Sequence, residues 1–256
     1  MSEAKVHVVD RGGGSPALVF LHYFAGSSRS WRHVADRLVS ASHCVCLDLP
    51  GFGSSPPLPD YSIRSMEQSI AGVVRGLGLD RYVVIGHSMG GKLALACAIA
   101  GLSGLEGLVL VAPSPPSPEP MDEGERSRLL ASHGDRSSAE RTVRNITRYP
   151  LPAEDIGTCI HDNLATSAEA WRWWLESGSR ENLVSSIDGI DCPVLVLAGG
   201  DDPVIPPRIV TSEVVARIKG SEYLEIPGSG HLLPFEAPQE VSRAIESFAL
   251  QRHPGA

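Results

Sequence analysis

Short runs that are apolar at every position alternate along this chain with segments whose apolar residues fall three to four apart. Ala17-Leu-Val-Phe-Leu21 is apolar throughout, as a strand covered on both faces requires. Helical spacing follows, with Trp31, Val34 and Leu38 on one face. A second strand is expected over residues 43–47, and it ends in the loop sequence Asp48-Leu-Pro-Gly-Phe-Gly-Ser-Ser55. The pattern then predicts a helix over 62–77, a strand at Tyr82-Val-Val-Ile85 and a helix of small residues over 92–100. Leu108-Val-Leu-Val111 and Val194-Leu-Val-Leu-Ala198 are further buried strands, residues 223–226 a last one, and 239–250 a closing helix.

This alternation predicts an α/β fold with a doubly wound, mostly parallel sheet flanked by helices. One stretch breaks the rhythm. Residues 114–186 contain no buried-strand run, and they begin with the stiff segment Ser114-Pro-Pro-Ser-Pro-Glu-Pro120. About 70 residues exceed what an ordinary strand-to-strand crossover needs. The stretch is therefore expected to be a helical insertion, acting as a cap, into a core made of 1–113 and 187–256. Within it, Trp171-Arg-Trp-Trp174 puts three tryptophans in four positions. They cannot share one helix face, so at most two line a pocket, and all three can equally anchor the insertion. Trp173 is the one assigned to substrate.

Composition narrows the function. The chain has 256 residues, 42% of them hydrophobic, enough for a core without disulfide or metal staples. The net charge of −8 leaves no basic stripe for a phosphate backbone, so no nucleic-acid partner is expected. No apolar stretch reaches the length of a membrane span, and the first residues lack a signal-peptide pattern, so a cytoplasmic protein is expected. The five cysteines are scattered. Cys44 and Cys46 share one strand face but have no further ligand pair, which fits small core residues and not a metal site.

The chemistry centres on Gly86-His87-Ser88-Met89-Gly90, between an apolar strand and a small-residue helix. A serine on so tight a strand-to-helix turn needs glycine two before and two after it. The helix N-terminus then favours negative charge developing beside the serine. Ser88 is the expected nucleophile. It requires a base, and His231 in Gly228-Ser-Gly-His231 follows the last strand in a loop able to approach it. His87 is expected to be structural. His7, His33, His43, His133, His161 and His253 lack supporting context. Either Asp201 or Asp202, after the strand at 194–198, can orient the histidine. The N–H of Met89 and one from the loop after the first strand would hold an oxyanion, with Phe24 preferred for the second and Tyr23 next.

These segments resemble the α/β-hydrolase superfamily over nearly the whole chain. The order is Leu21-His-Tyr-Phe-Ala-Gly-Ser-Ser28, Asp48-Leu-Pro-Gly-Phe-Gly-Ser54, Gly86-His-Ser-Met-Gly-Gly91, Gly199-Gly-Asp-Asp-Pro203 and Gly230-His231. The resemblance implies Asp202, not Asp201, as the acid, and a cap at 114–186. It departs from the family pattern in one place: His22 is followed by Tyr23 where glycine is usual. Tyr23 either contacts substrate or packs under the cap. Relatives that use an aspartate nucleophile, the haloalkane dehalogenases and epoxide hydrolases, are disfavoured by Ser88.

The expected activity is hydrolysis of a small or medium carboxylic ester without metal or organic cofactor. Its partner would be a small-molecule ester. The sequence leaves the oligomeric state open. The alternatives are cleavage of a C–C bond in a ring-fission diketone, and a non-catalytic ligand receptor on the same scaffold.

Overall fold

The computed structural model describes residues 5–251. Its sheet is built from β1 (Val8–Arg11), β2 (Ala17–Leu21), β3 (Cys44–Leu47), β4 (Tyr82–His87), β5 (Leu105–Val111), β6 (Val194–Gly199) and β7 (Glu222–Ile226). The order is β1-β3-β2-β4-β5-β6-β7, parallel except for the antiparallel edge strand β1. The sequence pattern does not announce β1: its residues are partly or fully exposed and include Asp10 and Arg11, so it has no buried run.

Side-chain alternation divides the core into two halves. Val19, Leu21, Val45, Val84, Leu108 and Val196 project to one face, against α2 (Ile63–Gly76) and α3 (Met89–Ile99). Phe20, Cys46, Ile85, Val109 and Leu197 project to the other, against α1 (Arg32–Leu38) and α10 (Pro238–Gln251). Both faces are covered, which is why the central strands carry unbroken apolar runs such as Leu108-Val-Leu-Val111 and Tyr82-Val-Val-Ile85. Helix α2 starts at a capping box in which Ser62 and Ser65 satisfy each other's main-chain donors. Helix α3 begins at Met89, three residues earlier than the small-residue pattern suggests. Gly90 and Gly91 read as loop residues but lie inside its first turn.

Between β5 and β6 the chain forms α4 (Glu123–Ala131), α5 (Arg136–Ile146), α6 (Ala153–Ala165) and α7 (Ala168–Glu176), then short 3₁₀ turns at Gly178–Arg180 and Val184–Gly189. Helix α6 is bound to the core by buried carboxylates. Asp155 accepts from Arg32 at 2.5 Å and faces His33 Nε2 at 2.9 Å. Asp162 accepts from Ser27 Oγ at 2.6 Å and pairs with Arg29. On the other side, the buried Lys92 of α3 donates to the carbonyls of Ser117 at 3.1 Å and Ser179 at 3.2 Å, joining the two ends of this segment. Burial pushes the Lys92 ammonium pKa down to about 8, against the raising influence of Glu119 and Glu181. After β6 come α8 (Pro207–Ile209), which continues into a π turn at Val210–Val215, and α9 (Leu233–Glu236) before α10. Among the described residues no helix is long and apolar enough to cross a membrane.

Gly157 lies inside α6, and a methyl group there would meet no atom within 4 Å. Glycine in a helix interior costs roughly 0.5–1 kcal/mol relative to alanine. Gly157→Ala is expected to raise Tm by about 2 °C, measured by thermal denaturation.

Candidate active site

The parallel strands deliver the site's residues to their carboxyl ends, where open α/β sheets place their ligands. Ser88 follows β4 with φ 53° and ψ −114°, a left-handed conformation that costs a non-glycine residue energy. Main-chain hydrogen bonds hold it there: its N–H donates to the Val111 carbonyl at 3.0 Å. Its own carbonyl accepts from Gly91 at 2.8 Å and Ser114 at 3.0 Å. A Cβ on Gly86 would collide with the main chain of Gly90, and one on Gly90 with the carbonyls of Leu21 and His22. The glycines thus make room for main chain rather than for each other's side chains.

His231, after β7, lies with Nε2 3.0 Å from Ser88 Oγ and Nδ1 2.7 Å from Asp202 Oδ2. The other Asp202 oxygen accepts from the N–H groups of Val204 at 2.7 Å and Ile205 at 3.0 Å. That arrangement presents Oδ2 to Nδ1–H and leaves Nε2 free to accept from the serine hydroxyl. Burial alone would lower the His231 pKa. The Asp202 carboxylate outweighs it, with lesser support from Glu119 and Glu236, and the pKa is raised above its ordinary value. Asp201 points outward toward Arg148, at 3.8 Å.

Two further histidines brace the site without titrating near neutrality. His22 is fully buried. It donates through Nδ1 to the Tyr23 carbonyl at 2.7 Å and accepts at Nε2 from the Leu49 N–H at 3.0 Å. Burial lowers its pKa to about 4. His87 donates through Nε2 to the His231 carbonyl at 2.8 Å, and burial, then His231, holds its pKa well below the usual range. Of the remaining histidines, His253 lies outside the described residues, and His33 belongs to the α6 attachment.

Met89 is the first residue of α3, where amides lack intrahelical partners, and Phe24 lies in the loop after β2. A cavity of about 390 Å³ opens above Ser88 and His231, walled by Phe24, Leu129, Val143, Ile146, Trp171 and Trp174. The Trp171 ring lies 4.8 Å from Phe24. The assignment of Trp173 to substrate does not hold. Trp173 stacks on Tyr61 at 5.5 Å and takes no part in the cavity wall. Trp171 and Trp174, three apart on α7, share the inward face, while position 173 is turned away from it. Tyr23 also lines the cavity, but it is 7% exposed, and its ring packs beside His87 with its hydroxyl against Cys159 of α6. Both readings of Tyr23 therefore describe part of its position. No motif or spacing points to Glu119, a buried carboxyl group on the cavity wall beside His231. Nor does any point to Glu236, whose contacts lie behind the histidine loop.

The family model of the alpha/beta hydrolase family matches residues 18–244. The chain belongs to the alpha/beta hydrolase family. It is 26% identical to an sn-1-specific diacylglycerol lipase of Mus musculus, over 94% of this chain and 83% of that protein. It is also 26% identical to an N-formylmaleamate deformylase of Pseudomonas putida, over 90% of this chain and 87% of that one. Among solved structures it is similar to an esterase from Exiguobacterium antarcticum, with TM-score 0.88, 21% identity and 95% of each chain covered. This last likeness speaks to the fold alone. The family is a hydrolase family, and a serine hydroxyl hydrogen-bonded to a carboxylate-oriented imidazole is a chemically competent arrangement for this protein.

Gly199 brings the Asp202 and His231 loops together: a Cβ there would collide with the Gly230 carbonyl. Gly199→Ala is expected to lower Tm by roughly 3–10 °C, as overpacking of about 1–3 kcal/mol would. Calorimetry on the purified variant checks this; an unchanged Tm would mean the loops separate freely.

Proposed function

We propose that the protein is a serine hydrolase of uncharged carboxylic esters. The observation that carries this reading is the continuous chain from Ser88 Oγ through His231 to Asp202, at 3.0 and 2.7 Å, at the floor of an aromatic cavity. Ser88 attacks the ester carbonyl while His231 Nε2 takes its proton. Asp202 holds the imidazole tautomer and stabilises the imidazolium. The N–H groups of Met89 and Phe24 receive the oxyanion, each such donor contributing on the order of 3 kcal/mol in the transition state. His231 returns the proton to the leaving alcohol. It then activates a water that attacks the acyl-enzyme, and the acid product leaves Ser88 free. The helical segment 114–186 acts as a cap that excludes water from the acyl chain. Unpaired cysteines throughout suit a reducing compartment, and we assign the protein to the cytoplasm.

The cavity wall favours uncharged acyl groups. It carries the carboxylates of Glu119, Asp122 and Glu125 and no lysine or arginine. The buried cations Lys92 and Arg126 are outside the wall, Lys92 turned to the carbonyls of Ser117 and Ser179 and Arg126 to the Leu175 carbonyl and the Ser179 hydroxyl. A diacylglycerol, the substrate named for the mouse relative, is an uncharged ester; maleamate chemistry, named for the Pseudomonas relative, carries a carboxylate. The flat surfaces of Trp171 and Trp174 also favour a second reading, C–C cleavage of a planar ring-fission diketone. Bleaching of such a coloured substrate is its assay.

Ser88→Ala is expected to abolish turnover of p-nitrophenyl butyrate and labelling by a fluorophosphonate, with the circular dichroism spectrum retained. Labelling that survives in this variant overturns the assignment of the nucleophile. For the wild type, p-nitrophenyl hemisuccinate should show a kcat/KM about tenfold below that of the butyrate, because its free carboxylate would enter an acidic, partly desolvated cavity. Equal values for the two esters would remove the charge argument.

A further inference from the structure

The loop that bears His231 is held largely by groups outside the sheet. The His231 N–H donates to the carbonyl of Ile146, the last residue of α5, at 2.8 Å. On either side, Gly230 N–H donates to Glu236 Oε2 at 3.0 Å and Leu232 N–H to Oε1 at 3.1 Å. The same Oε2 also accepts from the N–H groups of Arg148 at 2.7 Å and Tyr149 at 3.3 Å. One carboxylate therefore gathers four main-chain donors, two from the histidine loop and two from the segment just after α5. The two backbones touch: a Cβ on Gly230 would fall 2.7 Å from the Arg148 nitrogen and 2.8 Å from the Ile146 oxygen.

We propose that Glu236 is a positioning residue that latches the helical insertion to His231, so that the base meets Ser88 only while residues 146–149 are docked. The proposal rests on the assignment of Ser88 and His231 made above. Four N–H groups converging on one side chain demand an acceptor with lone pairs on both oxygens. A carboxylate meets that demand; an amide would turn its NH₂ toward other donors. Because two of the four donors come from the insertion, withdrawing that segment also removes the partner of the His231 N–H. Closing the cavity over substrate and aligning the base are thereby one event.

The pH dependence has a definite sign. The groups facing His231 are Asp202 from the loop after β6, Glu119 from the insertion, Glu236 from α9 and the neutral His87 from β4. The three carboxyl groups favour the imidazolium. The acid limb of kcat/KM, below which His231 is protonated and inactive, should thus lie above the ordinary histidine value of about 6.5. Removing the Glu236 charge moves that limb to lower pH, whereas loosening the latch lowers kcat.

The test compares Glu236→Gln with Arg148→Pro and Arg148→Ala, on enzyme whose active sites are counted by fluorophosphonate labelling. Glu236→Gln should lower kcat roughly tenfold to a hundredfold, as misplacement of a catalytic group does, with a smaller change in KM and the acid limb at lower pH. Arg148→Pro deletes one latch N–H and no carboxylate. Thr147 already has the extended conformation (φ −98°, ψ 148°) that precedes proline. Relative to Arg148→Ala, it should lose kcat while the acid limb stays where Arg148→Ala puts it. Glu236→Asp, with the charge kept, should recover the limb but not the full kcat. If Glu236→Gln and Arg148→Pro lower Tm while kcat per labelled site and the limb stay at their reference values, the contacts are merely structural and the proposal fails. Should Glu236→Gln not fold, the proline-to-alanine comparison decides alone. Absence of turnover and labelling in the wild type would instead overturn the esterase reading.

Discussion

At the carboxyl edge of the sheet, main chain meets main chain with no room for a side chain. Gly86 and Gly90 admit the nucleophile turn against β2, Gly199 admits the His231 loop against the Asp202 loop, and Gly230 admits the segment after α5 against His231. Each contact fixes a separation that side-chain packing would leave adjustable. The hydrogen bonds of 3.0 Å and 2.7 Å through His231 are a consequence: they require three loops from β4, β6 and β7 to converge on one imidazole. The left-handed backbone of Ser88 belongs to the same constraint, since its amide is committed to the end of β5 and its carbonyl to the first turn of α3 and to Ser114 after β5.

Such close approach buries polar groups, and their pairing determines which histidine can act. His22 and His87 are as deeply buried as His231, but each spends an N–H on a main-chain carbonyl rather than on a carboxylate. Burial therefore depresses both. Of these three, His231 is the one with a carboxylate on Nδ1, and the one with a raised pKa. The difference between scaffold and base lies in one partner atom, not in depth. His87 serves the base indirectly, because its proton is committed to the His231 carbonyl.

The core was legible because its physics is local. A strand buried on both faces must be apolar at each position, so β2, β4 and β6 stand out in the sequence, whereas the exposed edge strand β1 does not. The Ser88 motif was legible because a steric requirement for glycine acts within five consecutive residues. Trp173 was misassigned because helix phase decides which tryptophan faces inward, and three in four positions leave the phase open. The stacking of Trp173 on Tyr61, about 110 positions distant in sequence, settles it. Glu119 and Glu236 carried no signal at all. An isolated glutamate reads as surface until the fold sets it beside His231 or under four convergent N–H groups.

The insertion is where these two kinds of information part. Its helices α4 and α5 bury few of their residues, its carboxylates Asp155 and Asp162 bind α6 to the core through pairs more than 120 positions apart, and its inner surface forms most of the cavity wall. Nothing in a local pattern can specify such a surface, yet substrate choice depends on it. The core supplies a nucleophile and a base that many esters could use. The insertion supplies the aromatic wall, the acidic lining and, through Ile146, Arg148 and Tyr149, part of the hydrogen bonding that keeps the base in place. Selectivity and alignment therefore reside in the same segment. A change in the insertion that admits a new acyl group must also preserve the dock at 146–149, or the wider cavity will open onto a histidine out of register with Ser88.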